Sequence, residues 1–205
     1  LFPSVAVVYN TEHKASRAIL RPLQQKVREQ GLWACHLGPE LGGKGYGQVK
    51  LGLMNEIIGR SIWAPTVFGT AAPDTGNAEI LAMFGTQAQK DRYLQPLLDG
   101  RIVSCFSMTE PQAGADPKEF VAHARRDGDF WVINGEKWFS SNARYAAFML
   151  VLAVTNPEAP IQNRMSMFIV PRETPGLKII RNAPHMTERT ELDEGTEGYL
   201  CYDNV

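Results

Sequence analysis

The stretch VAHARRDGDFWVINGEKWFSS, Val121 to Ser141, decides the fold. Asp127-Gly128-Asp129 is a turn sequence joining Val121–Arg126 to Phe130–Ile133, two runs of extended character. Asn134-Gly135 follows and leads into Lys137–Ser141. Asn-Gly beside such runs is the strongest short-range hairpin signal, because both residues tolerate the positive φ of a tight two-residue turn. The stretch therefore predicts short antiparallel strands separated by tight turns.

Downstream, Phe148–Val154, Met165–Val170, Leu177–Ile180 and Gly198–Tyr202 read as further strands, each rich in β-branched, aromatic or large apolar residues. Short strands at this spacing indicate a small sandwich or barrel and not a parallel α/β sheet. Upstream the character changes at Arg101. Thr11 to Gln30 carries Ala18, Ile19, Leu23 and Val27 at helical spacing, with Gly31 as a stop and Pro22 as a break or a second start. Val49 to Arg60 places Val49, Leu53, Ile57, Met54 and Ile58 on one broad face. Thr86 with Gln89 forms a capping-box pattern that opens Gln87 to Leu98, and Gly100 stands at C′. The expectation is an α+β chain: a helical domain over residues 1–100, then a small β-sandwich or barrel domain over 101–205. No internal repeat or low-complexity tract interrupts it.

The 205 residues are 44% hydrophobic and 21% charged, with 21 Lys and Arg against 22 Asp and Glu and a formal charge of -1. That balance is ordinary for a globular chain and supplies no general attraction for nucleic acid or an anionic membrane. Cys35, Cys105 and Cys201 are odd in number and far apart, which fits a reducing compartment better than a disulfide framework. His13, His36, His123 and His185 show no metal-ligand spacing, so no metal site is expected. The longest apolar run, Ala146 to Val154, is the length of a buried strand and far short of the ~20 residues of a membrane span. The chain begins at Leu1, as a processed or trimmed product does, so a missing leader carries no weight.

Three segments are candidates for chemistry. Leu41 to Gly47 is glycine-rich but matches neither a phosphate-binding loop nor a dinucleotide fingerprint, and reads as a tight connection between helices. Cys105 to Asp116 is a β-like run ending in a polar turn, with Pro111 fixing the backbone and Gly114 permitting close approach. Such a strand-end loop can aim backbone N–H groups and the Thr109 hydroxyl at a planar ligand; the plainer alternative is that Glu110 and Asp116 cap or solvate the turn. Trp138-Phe139-Ser140-Ser141-Asn142 could pack on a flat ring and hydrogen-bond its edge, or could simply be a strand with Trp138 in the core.

Taken together, the last two segments resemble the flavin-binding core of the acyl-CoA dehydrogenase family. That family has an aromatic or small residue, then x-hydrophobic-T/S-E-P-x-A-G-S-D, and after one hairpin I-N-G-x-K-x-W-I-T/S-N. Here the two stand as Phe106 to Asp116 and Ile133 to Asn142. Ile169-Val170-Pro171, Thr174-Pro175-Gly176-Leu177, Tyr202-Asp203-Asn204-Val205, Leu41-Gly42-Gly43 and Tyr93 to Gly100 are also similar to it. The resemblance implies an N-terminal helical domain and a β middle domain gripping FAD. It assigns Phe106, Ser107, Met108, Thr109, Gly114, Ala115, Trp138, Phe139 and Ser140 to the cofactor. Phe106, Met108 and Thr109 meet the pyrimidine side, Trp138 lies against the ring, and Ser140 bonds near N5, with W-I-T read as Trp138-Phe139-Ser140.

Two further departures stand out. Ala115 replaces the serine before the motif's aspartate and removes a hydroxyl near the acyl-CoA, and Pro184 to Glu197 is unusually polar. The implied reaction is alpha,beta-dehydrogenation of an acyl-CoA thioester in fatty-acid metabolism. A base takes the alpha proton while hydride leaves the beta carbon. The family's base comes from a C-terminal helical domain, expected beyond Val205, so none of Glu110, Asp116 or Glu136 is nominated as catalytic. The isolated 205 residues are expected to bind FAD weakly without turnover. An electron-transfer flavoprotein or similar acceptor, a homodimer or homotetramer, and a bacterial cytoplasmic or mitochondrial-matrix location complete the expectation. The alternatives are an acyl-CoA oxidase, a nitroalkane-oxidase-like enzyme, or a non-catalytic flavin-binding subunit of a heteromer.

Overall fold

The computed structural model describes residues 6–41, 43–184 and 195–205. Gly42 and most of the polar Pro184–Glu197 stretch lie outside these residues. The chain divides into two compact units, Leu1–Val103 and Ser104–Val205.

In the first unit α1 (Lys14–Glu29) runs through Pro22, which sits on its exposed side. Its stop is at Gly31, whose N–H reaches the Arg28 carbonyl while that of Leu32 reaches Val27, the paired bonds of a Schellman end. The expected apolar face needs correcting. Ala18, Ile19 and Leu23 are exposed, and the buried positions are Ser16, Arg17, Leu20, Gln24 and Val27. Periodicity missed this because two long polar side chains are buried with partners. Arg17 donates to the Val8 and Asn10 carbonyls, and Gln24 donates to that of Thr66.

The face expected for α2 (Gly47–Ile58) is also turned outward. Val49, Leu53 and Ile57 are 81%, 60% and 66% exposed, and only Ile58 is buried. Short α3 (Ala64–Phe68) and α4 (Asp74–Phe84) follow. The Thr86–Gln89 capping box is present, both reciprocal bonds included. It opens a continuous helical stretch: α5 (Gln87–Gln89), a π-helical turn (Lys90–Leu94) and α6 (Gln95–Leu98). Gly100, at φ 67°, closes the stretch with a second Schellman end. The Leu98 carbonyl, left over by the helix, accepts from Trp33 Nε1 and Arg28 Nη2.

The second unit is a curled mixed sheet of seven strands: β1 (Ser104–Ser107), β2 (His123–Asp127), β3 (Phe130–Ser141), β4 (Phe148–Val154), β5 (Met165–Pro171), β6 (Leu177–Ala183) and β7 (Glu197–Tyr202). A short helix, α7 (Ile161–Arg164), precedes β5. The strands lie in the order β1-β4-β2-β3-β7-β6, with β5 on the other edge of β4. This half-barrel is the β part of the expected α+β arrangement. The apolar run FMLVLAV is β4, buried at six of its seven positions, as a strand flanked on both edges and covered on both faces should be. Cys105, Ile133, Met149, Val151, Leu200 and Tyr202 are among the side chains that fill the curl.

The expected Asp127-Gly128-Asp129 turn is present but shorter: Asp127 ends β2 paired with Phe130, and Gly128-Asp129 alone make the turn. The Asn134-Gly135 hairpin, however, does not exist. β3 runs straight through it for 12 residues, pairing with β2 up to Asn134 and with β7 from Gly135 onward. The strand changes partners there, and the close packing at the changeover is what requires glycine. Gly135 has φ 139°, and a Cβ on it would lie 2.6 Å from both Cα and Cβ of Ala122. Gly135→Ala should therefore lower stability by about 2–4 kcal/mol through backbone strain and overpacking. A fall in the urea midpoint at unchanged m-value would show it.

Candidate functional site

The loop after β1 is organised from inside by Glu110. Its side chain is fully buried, and each carboxylate oxygen accepts two hydrogen bonds. Oε1 takes Lys137 Nζ at 2.8 Å and the Ala122 N–H at 3.0 Å; Oε2 takes the Val121 N–H and Gln112 Nε2, both at 2.7 Å. Lys137, also fully buried, donates to the Met108 carbonyl at 2.7 Å and lies 4.8 Å from the centre of the Phe120 ring. A buried charge is tolerated only when paired and bonded in this way. Burial pushes the Glu110 carboxyl up, but the Lys137 ammonium and the N–H donors outweigh it and hold the group below the usual carboxylate range. Burial pulls the Lys137 ammonium below its ordinary value, and Glu110 offsets part of that.

Backbone bonds finish the loop. Glu110 and Ala113 exchange N–H and carbonyl across the turn, and the Trp138 N–H reaches the Thr109 carbonyl at 2.7 Å. Loop and β3 are thus one rigid piece, which is what a binding loop on a scaffold needs. The Thr109 hydroxyl is half-buried and has no partner among the described residues. Gly114 and Ala115 are exposed beside it, and Phe106 and Met108 are half-buried. Asp116 caps the turn Pro117–Glu119 through the Lys118 N–H, and Glu136 accepts the Tyr199 hydroxyl at 2.6 Å.

β3 itself is irregular beside the loop. Its register with β7 shifts between Lys137 and Ser140, and Phe139 has φ 51°. Phe139 is 57% exposed, whereas Ser140 is fully buried with its hydroxyl 3.1 Å from that of Ser107. Ser107 is buried too and accepts from Tyr202 at 2.9 Å. Trp138 is half-buried in a cluster of its own, 4.6 Å from Tyr199 between ring centres, with the Arg181 guanidinium 4.8 Å from its ring.

The nominated residues therefore divide. Phe106, Met108, Thr109, Gly114, Ala115 and Phe139 present surface, Trp138 is engaged by its neighbours, and Ser107 and Ser140 lie inside. Ser141, named in the 138–142 segment but not assigned to the cofactor, is half-buried and donates to Glu197 at 2.8 Å. The signal for it was available. Laid residue by residue on Ile133–Asn142, I-N-G-x-K-x-W-I-T/S-N puts the aromatic position on Phe139 and the hydroxyl position on Ser141. Reading W-I-T as Trp138-Phe139-Ser140 is one residue out of step.

A separate cavity of about 50 Å³ lies in the helical unit, lined by Arg17, Trp33, His36 and Asp74 among others. Both His36 ring nitrogens are buried with no partner among the described residues, and burial pulls this histidine below its ordinary pKa. None of the nominated residues lines it.

The helical unit and the curled sheet each match a known domain of one family. The N-terminal domain of acyl-CoA dehydrogenase matches residues 3–101 and the middle domain matches residues 105–204. The chain belongs to the acyl-CoA dehydrogenase family. A probable acyl-CoA dehydrogenase of Mycobacterium tuberculosis, FadE2, is 42% identical over 81% of this chain and 41% of its own length. The structure of a putative acyl-CoA dehydrogenase from Mycobacterium abscessus is 40% identical with a TM-score of 0.83, covering 91% of this chain and 46% of that one. A glutaryl-CoA dehydrogenase from Mycobacterium smegmatis, solved in complex with FADH2, shares the fold at 23% identity and a TM-score of 0.61, over 98% of this chain and 51% of that one. The chain thus spans about half the length of these relatives or less. Among the described residues no helix is long and apolar enough to cross a membrane.

Replacing Glu110 with Gln leaves the buried ammonium uncompensated and should cost about 3–5 kcal/mol. Because the carboxyl is held below its unfolded value of 4.5, its stabilisation is complete above that value and is lost as pH falls through the lower folded value. The acid limb of the parent protein's stability curve should flatten in Glu110→Gln, as measured by denaturation between neutral pH and pH 3.

Proposed function

We propose that these residues supply the flavin platform of an enzyme that dehydrogenates an acyl-CoA thioester between its alpha and beta carbons. The observation that carries this reading is the Glu110-clamped loop held against the bulged Phe139–Ser141 segment, in a chain of this family. When bound, FAD supplies the acceptor for the hydride leaving the beta carbon.

The donor set fits such a group. The Thr109 hydroxyl, without a partner among the described residues, and the loop amides can meet negative charge on the pyrimidine side, where preorganised donors count most. Phe106 and Met108 give that edge an apolar floor. Phe139 offers a ring face that excludes water, and Ser141, which donates to Glu197, leaves its hydroxyl oxygen to accept at the strand position where the family pattern has a hydroxyl. Gly114 lets the backbone approach, and Ala115 leaves the acyl-CoA one hydroxyl fewer to bind.

The carboxylates near the platform do other work. Glu110 has both oxygens fully used, Asp116 caps a turn, and Glu136 holds Tyr199. In this reading the base that removes the alpha proton comes from another part of the whole protein. An enzyme of a reducing compartment, the bacterial cytoplasm or mitochondrial matrix, working as a homo-oligomer with electron-transfer flavoprotein or a similar acceptor, completes the proposal.

The test is an anaerobic titration of the full-length protein with acyl-CoAs of graded chain length, following visible absorbance. Bleaching of the flavin band by one chain class is the expected outcome. A yellow protein that no acyl-CoA bleaches would refute the reaction while leaving the cofactor, and a colourless protein that takes up no FAD would refute both. Hydrogen peroxide released stoichiometrically in air would replace dehydrogenase with oxidase.

A further inference from the structure

We propose that the buried hydroxyl chain Tyr202–Ser107–Ser140 is a positioning device that sets the phase of β3, so that Phe139 and Ser141 face the cofactor. The proposal rests on the flavin reading above, and concerns residues that touch no ligand themselves.

In an unbroken strand, side chains alternate between faces. Counting from Lys137, which is fully buried, unbroken alternation would turn Phe139 and Ser141 inward and Trp138 and Ser140 outward. Apolar content does not decide between that phase and its opposite, since each turns one aromatic and one serine inward. The structure has the opposite. Phe139 points out from a left-handed backbone conformation and Ser140 is fully buried. A one-residue bulge of this kind re-aims the side chains beyond it, but it needs something to hold it.

The hydroxyl chain is that something. A serine hydroxyl without a partner is costly to bury. Ser140 finds its partner in Ser107 of β1 at 3.1 Å, and Ser107 in turn accepts from Tyr202 of β7 at 2.9 Å. Burial pushes the Tyr202 phenol far above its ordinary value, so the head of the chain stays protonated and donating at any working pH. β7 pairs with β3 on both sides of the bulge, Lys137 opposite Leu200 and Ser140 opposite Gly198. Three strands therefore meet at one point, where only a polar residue at 140 is satisfied. The same chain rejects the unbulged phase, because Phe139 would then confront two hydroxyls.

The test uses Tyr202→Phe, Ser107→Ala and Ser140→Ala in the full-length protein, each removing one hydroxyl with little change of shape. Ser107→Ala breaks the middle link without altering β3 or β7. The measurements are FAD affinity by flavin fluorescence quenching, the visible spectrum of the bound flavin, and amide exchange of residues 138–142 in flavin-free protein. Each variant should weaken FAD binding about tenfold, the equilibrium equivalent of losing one buried hydrogen bond. Each should also shift the flavin spectrum and speed exchange across the bulge. The Ser107→Ala/Tyr202→Phe double variant should lose little more than either single one, since they act as a unit. Parent affinity, parent spectrum and parent exchange in all three variants would overturn the proposal, even if melting temperature fell. A parent protein that binds no FAD would defeat the cofactor reading instead, and the flavin-free exchange would still decide whether the chain holds the bulge.

Discussion

The Glu110–Lys137 pair is the constraint on which the rest of the β unit depends. A carboxylate and an ammonium are both removed from water, and neither could stay there alone. Between them they use the N–H groups of Val121 and Ala122, the amide of Gln112 and the carbonyl of Met108. The end of β1, the strand-end loop, the entry to β2 and the middle of β3 are thereby fixed to one buried point. An apolar pair of similar volume could match its stability. It could not hold those backbone groups in place, and they set where the side chains of the loop stand.

The glycine at 135 belongs to the same design. Ala122, whose backbone closes on Gly135, is also a donor to Glu110. A side chain at 135 would push the entry to β2 away and with it one of the four bonds on the carboxylate. Close approach at one residue thus serves the electrostatics of another. The serine and tyrosine hydroxyls near the far end of β3 do for its side-chain phase what the ion pair does for its position.

Much of this was legible in the sequence. The Thr86–Gln89 capping box, the stops at Gly31 and Gly100, the turn at Gly128-Asp129 and the strand FMLVLAV are local signals, and local physics decides them. The α1 face and the Asn134-Gly135 hairpin were misread for a shared reason. Arg17 and Gln24 are buried because backbone carbonyls outside their own helix, at Val8, Asn10 and Thr66, satisfy them, and Gly135 is glycine because Ala122, at the entry to β2, presses on it. Neither cause lies within a window of neighbouring residues. At the candidate site the sequence marks the loop after β1, while the hydroxyl position is read one residue out of step with the family pattern. A strand read as regular hides its bulge, and the bulge decides which serine faces out. The apolar stripe of α2 was legible as a stripe but not its exposure, since periodicity identifies a face and not what covers it.

The pairing of β3 has a consequence for how the unit is made. Its first half finds its partner at once, across a two-residue turn, but its second half waits for β7, some sixty residues later in the chain. Contacts of that separation are slow to form, because loop-closure entropy is spent before any reward arrives. During synthesis the bulge at Phe139 has no pairing strand until Glu197–Tyr202 has left the ribosome, while the β2–β3 hairpin can already be in place. The nascent chain therefore carries an exposed, aromatic strand end for several seconds at typical elongation rates. That interval is when a chaperone would find it, and when a neighbouring nascent chain could pair with it in error.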